Sequence, residues 1–449
     1  MTSRNLPPGP SKSSLIQALQ LARTPYAVLA DNQARYGDLF AMRIWGWGDF
    51  VVASDPDDIK KIFTAPPAVL SAGRARWMLD PVFGRKSLLT RDGSEHAWQR
   101  RFLMPYFHRE NLKKGQQIAI DATYDAMSRW PARADISMAG DLASITTDVL
   151  IKKFLGFDQP EESESVKTVL LDFLKESRQA AVFNIPALIN MNVGPWRRYH
   201  KARRRMDELL YKEIAERRER PRPVENDIIT ALHQAEKNDG EPLSDSVVRD
   251  IVVMLLGSGQ ETVAYTLAWV LEAILSHREV VDRIRGEIDR ATAGDRLAVP
   301  HLEQLPYLHA AVTEAMRLYP INPIIPRLVL QPGFTVGGYE LPVGTHVAGN
   351  SYGAQRRAAT YSDPLAFRPE RFLGDARPDI YTWLPFGGGA RKCIAATYVM
   401  YEVPAIVATL LTHPDLRLRA DRVQPGVSAR DMVAPAGGTV VSTAPARPR

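Results

Sequence analysis

The single cysteine of this 449-residue chain, Cys393, lies in Phe386-Gly387-Gly388-Gly389-Ala390-Arg391-Lys392-Cys393-Ile394-Ala395, a stretch whose residue types could do chemistry. Three glycines free the backbone to fold tightly and lie against a flat, bulky object. Arg391 adds a fixed cation, and the apolar run from Ile394 to Met400 predicts the first turns of a buried helix. A cysteine at such a helix start meets unpaired N–H groups that favour thiolate and can hydrogen-bond the sulfur. Taken alone, a lone cysteine is most often a small buried hydrophobe. A phosphate cradle is excluded, because Lys392 is followed by Cys393 and not by Ser or Thr.

A second chemical stretch, Ser258-Gly259-Gln260-Glu261-Thr262, sits midway along a segment from Ser244 to His277 that is apolar around most of its circumference. As a helix rising ~1.5 Å per residue that segment spans roughly 50 Å. Such a helix must be buried on all sides. A glycine weakens it and a carboxylate is costly to bury there. The stretch is then either a satisfied polar cluster at a kink, or a proton relay in which Gly259 opens room and Glu261 and Thr262 supply acid and alcohol. In Glu314-Ala315-Met316-Arg317, on a predicted helix from about Leu305 to Tyr319, two opposite charges share a face at i and i+3. By itself that tetrad reads as an exposed ion pair.

Helices must position most of these residues. Periodicity predicts helix from Ser14 to Tyr36, strands at Leu39–Trp45 and Phe50–Ala53 joined by a turn at Gly46–Asp49, and helix from Pro56 to about Ala65. Breakers make Ser71 to Thr90 irregular, a candidate lid. Helices dominate from Gly93 to Pro320, and short strands follow, around Val329, Phe334 to Val336, Tyr339 to Leu341 and Val343 to Ala348. The apolar piece Ala180 to Ile189, flanked by breakers, is a buried loop or a mobile substrate flap.

With 45% hydrophobic residues the chain can bury a large core. One cysteine excludes intramolecular disulfides and suits a reducing, cytoplasmic setting. The net charge of +6 comes without a basic stripe interleaved with aromatics, so nucleic acid is not an expected partner, whereas an acidic protein is. Met1 to Gln20 holds no apolar run long enough to span a bilayer, so no membrane anchor is expected.

The spacing F-x-x-G-x-R-x-C-x-A resembles the haem-binding loop of the cytochrome P450 family. Three further motifs occur in the family's order. Gly259, Glu261 and Thr262 match its central-helix pattern, with Ser258 replacing a small apolar residue and Val263 a second hydroxyl. Glu314 and Arg317 with Phe367-Arg368-Pro369-Glu370-Arg371-Phe372 match its charge triad, here Glu314, Arg317 and Arg371. Leu6-Pro7-Pro8-Gly9-Pro10 resembles its Pro-rich hinge. The resemblance implies one haem domain over residues 1–449, mainly α with a smaller discontinuous β region. Haem b would lie between the central helix and the cysteine-bearing helix.

It further implies a monooxygenase that inserts one atom of dioxygen into an apolar small molecule. Cys393 would be the iron's axial thiolate, in a loop that Phe386 and Gly387 open. Arg391, Arg327, His96 and Arg100 would hold the haem carboxylates, with Trp98 and Arg101 near enough to shift that register. Thr262 and Glu261 would deliver protons to dioxygen beside Gly259, and Ser258, Ile324 and Ile325 would touch substrate, as would the loop from Arg430 to Pro435. A monomer is expected, fed from NAD(P)H by a separate ferredoxin or flavodoxin with its reductase. The alternatives are a peroxide-using or isomerising enzyme of the same fold, and a non-catalytic haem sensor.

Overall fold

The periodic N-terminal stretch forms two helices, α1 (Ser14–Arg23) and α2 (Pro25–Tyr36), because Thr24-Pro25 interrupts it. Proline lacks the N–H that a continuing helix needs but suits the first position of a new one. The hairpin follows as expected, β1 (Leu39–Ile44) pairing antiparallel with β2 (Gly48–Ala53). Gly46 and Gly48 take the positive φ that the turn requires. Helix α3 (Pro56–Thr64) is capped by the Asp55 carboxylate, which accepts from the Asp57 N–H. This computed structural model describes residues 6–444 except 108, 158–159, 182–192, 225–226, 236–239, 375–378, 421 and 430.

A short β3 (Leu70–Ser71) comes next, and the irregular stretch behind it folds as a 3₁₀ segment, Arg74–Leu79, and one short helix, Asp80–Phe83. The principal helices are then α4 (Gly93–Leu103), α5 (Arg109–Ser128), α6 (Met138–Leu150), α7 (Pro160–Ala181), α8 (Gly194–Glu219), α9 (Asp245–Leu275) and α10 (Pro306–Leu318). Beyond them lie β4 (Ile324–Val329), β5 (His346–Asn350), α11 (Ala396–Leu411) and the hairpin β6 (Gly426–Ala429) and β7 (Met432–Pro435). The five-stranded sheet runs β1-β2-β5-β4-β3, so strands near residue 50 and residue 348 are neighbours. The architecture is mainly helical with a smaller discontinuous β region, as the resemblance implied.

Helix α9 is buried along nearly its whole length, from Val248 to Ile274, and forms the spine of the largest apolar core. Its length and apolarity would let it cross a bilayer, but 78% of its most apolar window is buried inside the protein. Ile324 and Ile325 begin the strand expected around Val329, and α11 starts at Ala396, two residues later than the apolar run suggests.

Glu314 and Arg317 are fully buried, which overturns the reading of this tetrad as an exposed pair. Arg317 donates to both Glu314 carboxylate oxygens at 2.6 and 2.8 Å, and Arg371 reaches the same carboxylate at 3.3 Å. The remaining Arg317 donors meet the carbonyls of Gln355, Pro364 and Ala366. A guanidinium with five directed donors can thus pin α10 to the irregular chain that leads into the cysteine loop.

Candidate active site

The cysteine loop is held by its own backbone. The Cys393 N–H donates to the Phe386 carbonyl at 2.9 Å, closing the loop, and the Ala395 N–H reaches the sulfur. Gly387 and Gly389 have φ of +66° and +65°. A Cβ on Gly389 would stand 2.1 Å from the Phe63 carbonyl oxygen, so this glycine lets the loop seat on α3. Gly388 faces the Phe63 ring in the same way, and of the three only Gly387 lines the cavity. Two of the three glycines therefore serve packing against α3 and not the approach of a flat ligand. Dense protein surrounds Cys393, yet its surface is open, because the open side faces an internal cavity and not bulk water. Burial pushes the thiol's pKa up, while the Ala395 N–H and the nearby Arg100 and Lys392 pull it down.

That cavity has a volume of about 470 Å³. Cys393, Phe386 and Gly387 line one side and Ser258, Gly259, Glu261 and Thr262 of α9 line another, with Ile324 and Ile325 also on its wall. Helix α9 is continuous through this stretch, without the kink that the glycine allowed. Its hydroxyls fold back along the helix: Ser258 Oγ donates to the Met254 carbonyl at 2.5 Å and Thr262 Oγ1 to the Ser258 carbonyl at 2.7 Å. Gly259 has a second duty, since a Cβ there would meet Leu150 of α6 at 3.0 Å. Glu261 is 1% exposed and accepts from Arg178 of α7 at 3.2 Å, and Arg178 also donates to the Tyr265 hydroxyl at 3.3 Å. The buried acid is therefore ion-paired to a side chain that is 37% exposed. Nothing in the local sequence signals that partner, which lies 83 positions earlier.

Cations gather at another edge of the cavity. His96, Arg100 and Arg391 line it, and Trp98 and Arg101 do not. Arg100 donates to the Lys392 carbonyl at 2.7 Å. Arg391 donates to the carbonyls of Arg91 and Leu89 at 2.6 and 3.0 Å, tying the cysteine loop to the chain before α4. Arg327 is not on the wall; it is 3% exposed, donates to the Pro326 carbonyl and lies over the Phe63 ring. It still acts in the same field. Burial first and then repulsion from Arg76 and Arg391 push its pKa down to about 9, and burial followed by Arg76 pushes Arg391 down to about 10. His96 falls to about 3 through burial, Arg391 and Arg100. Arg76 completes the group, from inside the stretch read as a lid, and no periodic signal marks it.

Arg327, Arg391 and His96 are buried and repelled by neighbouring cations, and such a group suits a multiply charged anion. The residues present fit a flat cofactor whose carboxylates the cations would hold and whose metal the Cys393 thiolate would hold. The β7 strand brings Met432 and Val433 to the wall, with Asp431 before them. The apolar piece 180–189 lies almost wholly outside the described residues.

A family model for cytochrome P450 matches residues 7–436. Cytochrome P450 137 of Mycobacterium tuberculosis is 32% identical over 417 residues, covering 92% of this chain and 84% of that protein. Cytochrome P450 135B1 of Mycobacterium bovis is also 32% identical, over 92% of this chain and 86% of its own. The solved structure of retinoic acid-bound cyanobacterial CYP120A1 superposes with a TM-score of 0.83 over 98% of this chain and 99% of that one, at 23% identity. The chain belongs to the cytochrome P450 family and is a haem-thiolate monooxygenase, an oxidoreductase.

Proposed function

We propose that the chain works as one haem domain over residues 1–449, with Cys393 as the axial ligand, and hydroxylates or epoxidises an apolar small molecule. The observation that carries this reading is the cavity that joins Cys393, the Gly259–Thr262 stretch and the cation cluster on one continuous wall. Haem b, when bound, supplies reductive activation of dioxygen and transfer of one oxygen atom to substrate. Arg391, Arg100, His96 and Arg76 hold its carboxylates, with Arg327 adding field from behind. Phe386 and Gly387 shape the thiolate side.

On the opposite side Thr262 Oγ1 donates to the Ser258 carbonyl, which leaves its lone pairs to accept a proton and pass one on. Glu261 exchanges protons with solvent at the opening beside its partly exposed partner Arg178 and delivers them toward Thr262. Ile324, Ile325 and Met432 offer substrate an apolar surface and keep water out. Electrons come from NAD(P)H through a reductase and a ferredoxin or flavodoxin. The acidic donor docks near Lys392, which the net charge of +6 supports. A cytoplasmic monomer is the setting in which we place it.

The test is reconstitution with a ferredoxin, its reductase and NAD(P)H, after a search for apolar compounds that shift the haem spin state. The reading requires product carrying one atom from labelled dioxygen. Turnover with peroxide alone would favour the peroxide-using alternative, and spin-state shifts without any product would favour a sensor.

A further inference from the structure

A buried cluster near the thiolate side takes no part in the chemistry above. Lys153, in the π-helical turn Ile151–Leu155 that follows α6, is 7% exposed. Tyr398 and Glu402, one turn apart on α11, are 3% and 2% exposed. Lys153 Nζ stands 3.7 Å from the Tyr398 ring centroid. A Cβ on Gly115 of α5 would lie 2.6 Å from the Tyr398 hydroxyl, so the glycine makes room for it. Among the described residues neither Tyr398 Oη nor Glu402 Oε1 has a hydrogen-bond partner, and both side chains line the cavity that Cys393 faces. An apolar core would be more stable with leucines here, because buried polar atoms without partners lose their hydration uncompensated.

Among the described residues around it, the π-helical turn contributes Lys153, α5 contributes Lys114, which repels it, and α11 contributes Glu402 and Tyr398. Gln116 of α5 is neutral and turns to the Tyr401 carbonyl. Burial pushes the Glu402 carboxyl up to about 8, opposed by Lys153, and pushes Lys153 down to about 7, opposed by Glu402. Near neutral pH the pair therefore holds a labile proton.

We propose that Lys153, Glu402 and Tyr398 form a proton store that takes up part of a proton from solvent when the neighbouring haem accepts one electron. This rests on haem occupying the cavity. The one-electron donor supplies the electron, the haem and its thiolate would gain one negative charge, and the fraction of a proton taken up from solvent binds at Lys153 Nζ or the Glu402 carboxylate, offsetting that charge in part. Glu402 is nine residues beyond Cys393, on the order of 13 Å at helical rise. A unit charge at about that distance in an effective dielectric near 20 raises proton affinity about tenfold.

The experiment is redox titration of the haem-loaded protein at about pH 6 to 9, for wild type, Glu402→Gln and Lys153→Met, with infrared difference spectra recorded on reduction. The wild-type midpoint potential should fall as pH rises through the neutral range, and reduction should change a deuterium-sensitive carboxyl band. Both signals should vanish in Glu402→Gln, and the slope should shift in Lys153→Met. Should these variants not hold haem, the double change Lys153→Met/Glu402→Leu fills the site with apolar atoms and should give a flat profile. A pH-independent wild-type potential, or one whose slope survives the substitutions, overturns the proposal. Failure of the underlying reading shows separately, as protein without a haem-thiolate spectrum, and overturns this proposal with it.

Discussion

The cysteine loop and the opposing stretch of α9 bound one cavity but are held in place by different means. The loop is fixed by contacts that end on backbone: the Cys393 N–H on the Phe386 carbonyl, Gly389 against the Phe63 carbonyl, and the Arg100 and Arg391 side chains on the carbonyls of Lys392, Arg91 and Leu89. The Gly259–Thr262 stretch depends on distant side chains, Leu150 for its glycine and Arg178 for its acid. The ligand side is therefore a rigid backbone device, and the oxygen side a side-chain device that can be retuned without disturbing the fold. Substitutions on the first should cost folding or haem, and those on the second should cost chemistry alone.

The largest effect is expected behind the loop. Arg317→Ala leaves the Glu314 carboxylate buried and short of its main partner, a loss of about 3–5 kcal/mol. Denaturant unfolding should show it, and little haem-loaded protein should accumulate; normal stability would mean that Arg371 alone holds Glu314. Gly389→Ala comes next. A positive φ costs a residue with a Cβ roughly 1–2 kcal/mol before the contact with Phe63 is counted. Haem content, and not only melting temperature, should fall.

Such a loop is legible in sequence because cysteine, arginine and glycines lie within one tight turn, and α9 because it is apolar all round. The cation cluster was only partly visible. His96, Arg100 and Arg391 sit in recognisable spacings, but Arg76 is one arginine among breakers, and its nearness to Arg327 and Arg391 arises from long-range packing of the 3₁₀ segment against β4. Arg178 is hidden for the same reason, since its meaning comes from a helix crossing.

The cluster yields a pH prediction of intermediate size. In haem-free protein His96 stays neutral down to about pH 3, against an ordinary value of 6.5. The unfolded chain then binds the extra proton and the folded one does not. Stability should therefore fall as pH drops below 6.5, by up to about 1.4 kcal/mol per pH unit. His96→Gln should remove that slope, and haem carboxylates should reduce it; a slope unchanged by both would place the titration elsewhere.

Smallest in stability, though large in chemistry, is Thr262→Ala. It removes one back-bonding hydroxyl, so unfolding should barely move. NAD(P)H oxidation should continue while hydrogen peroxide rises and the share of electrons in product falls. Full coupling in both this variant and its double with Ser258→Ala would remove the proton-delivery role from α9. Reduction by an acidic ferredoxin should also slow as salt rises, and a rate indifferent to ionic strength would argue against docking near Lys392.

The central claim is thiolate ligation by Cys393, and the carbon monoxide difference spectrum of the reduced protein tests it most directly. Wild type should show the strongly red-shifted Soret band of a thiolate-ligated haem, and Cys393→Ser should lose that band while haem remains detectable. The same band in the variant would contradict the assignment of Cys393 as the ligand.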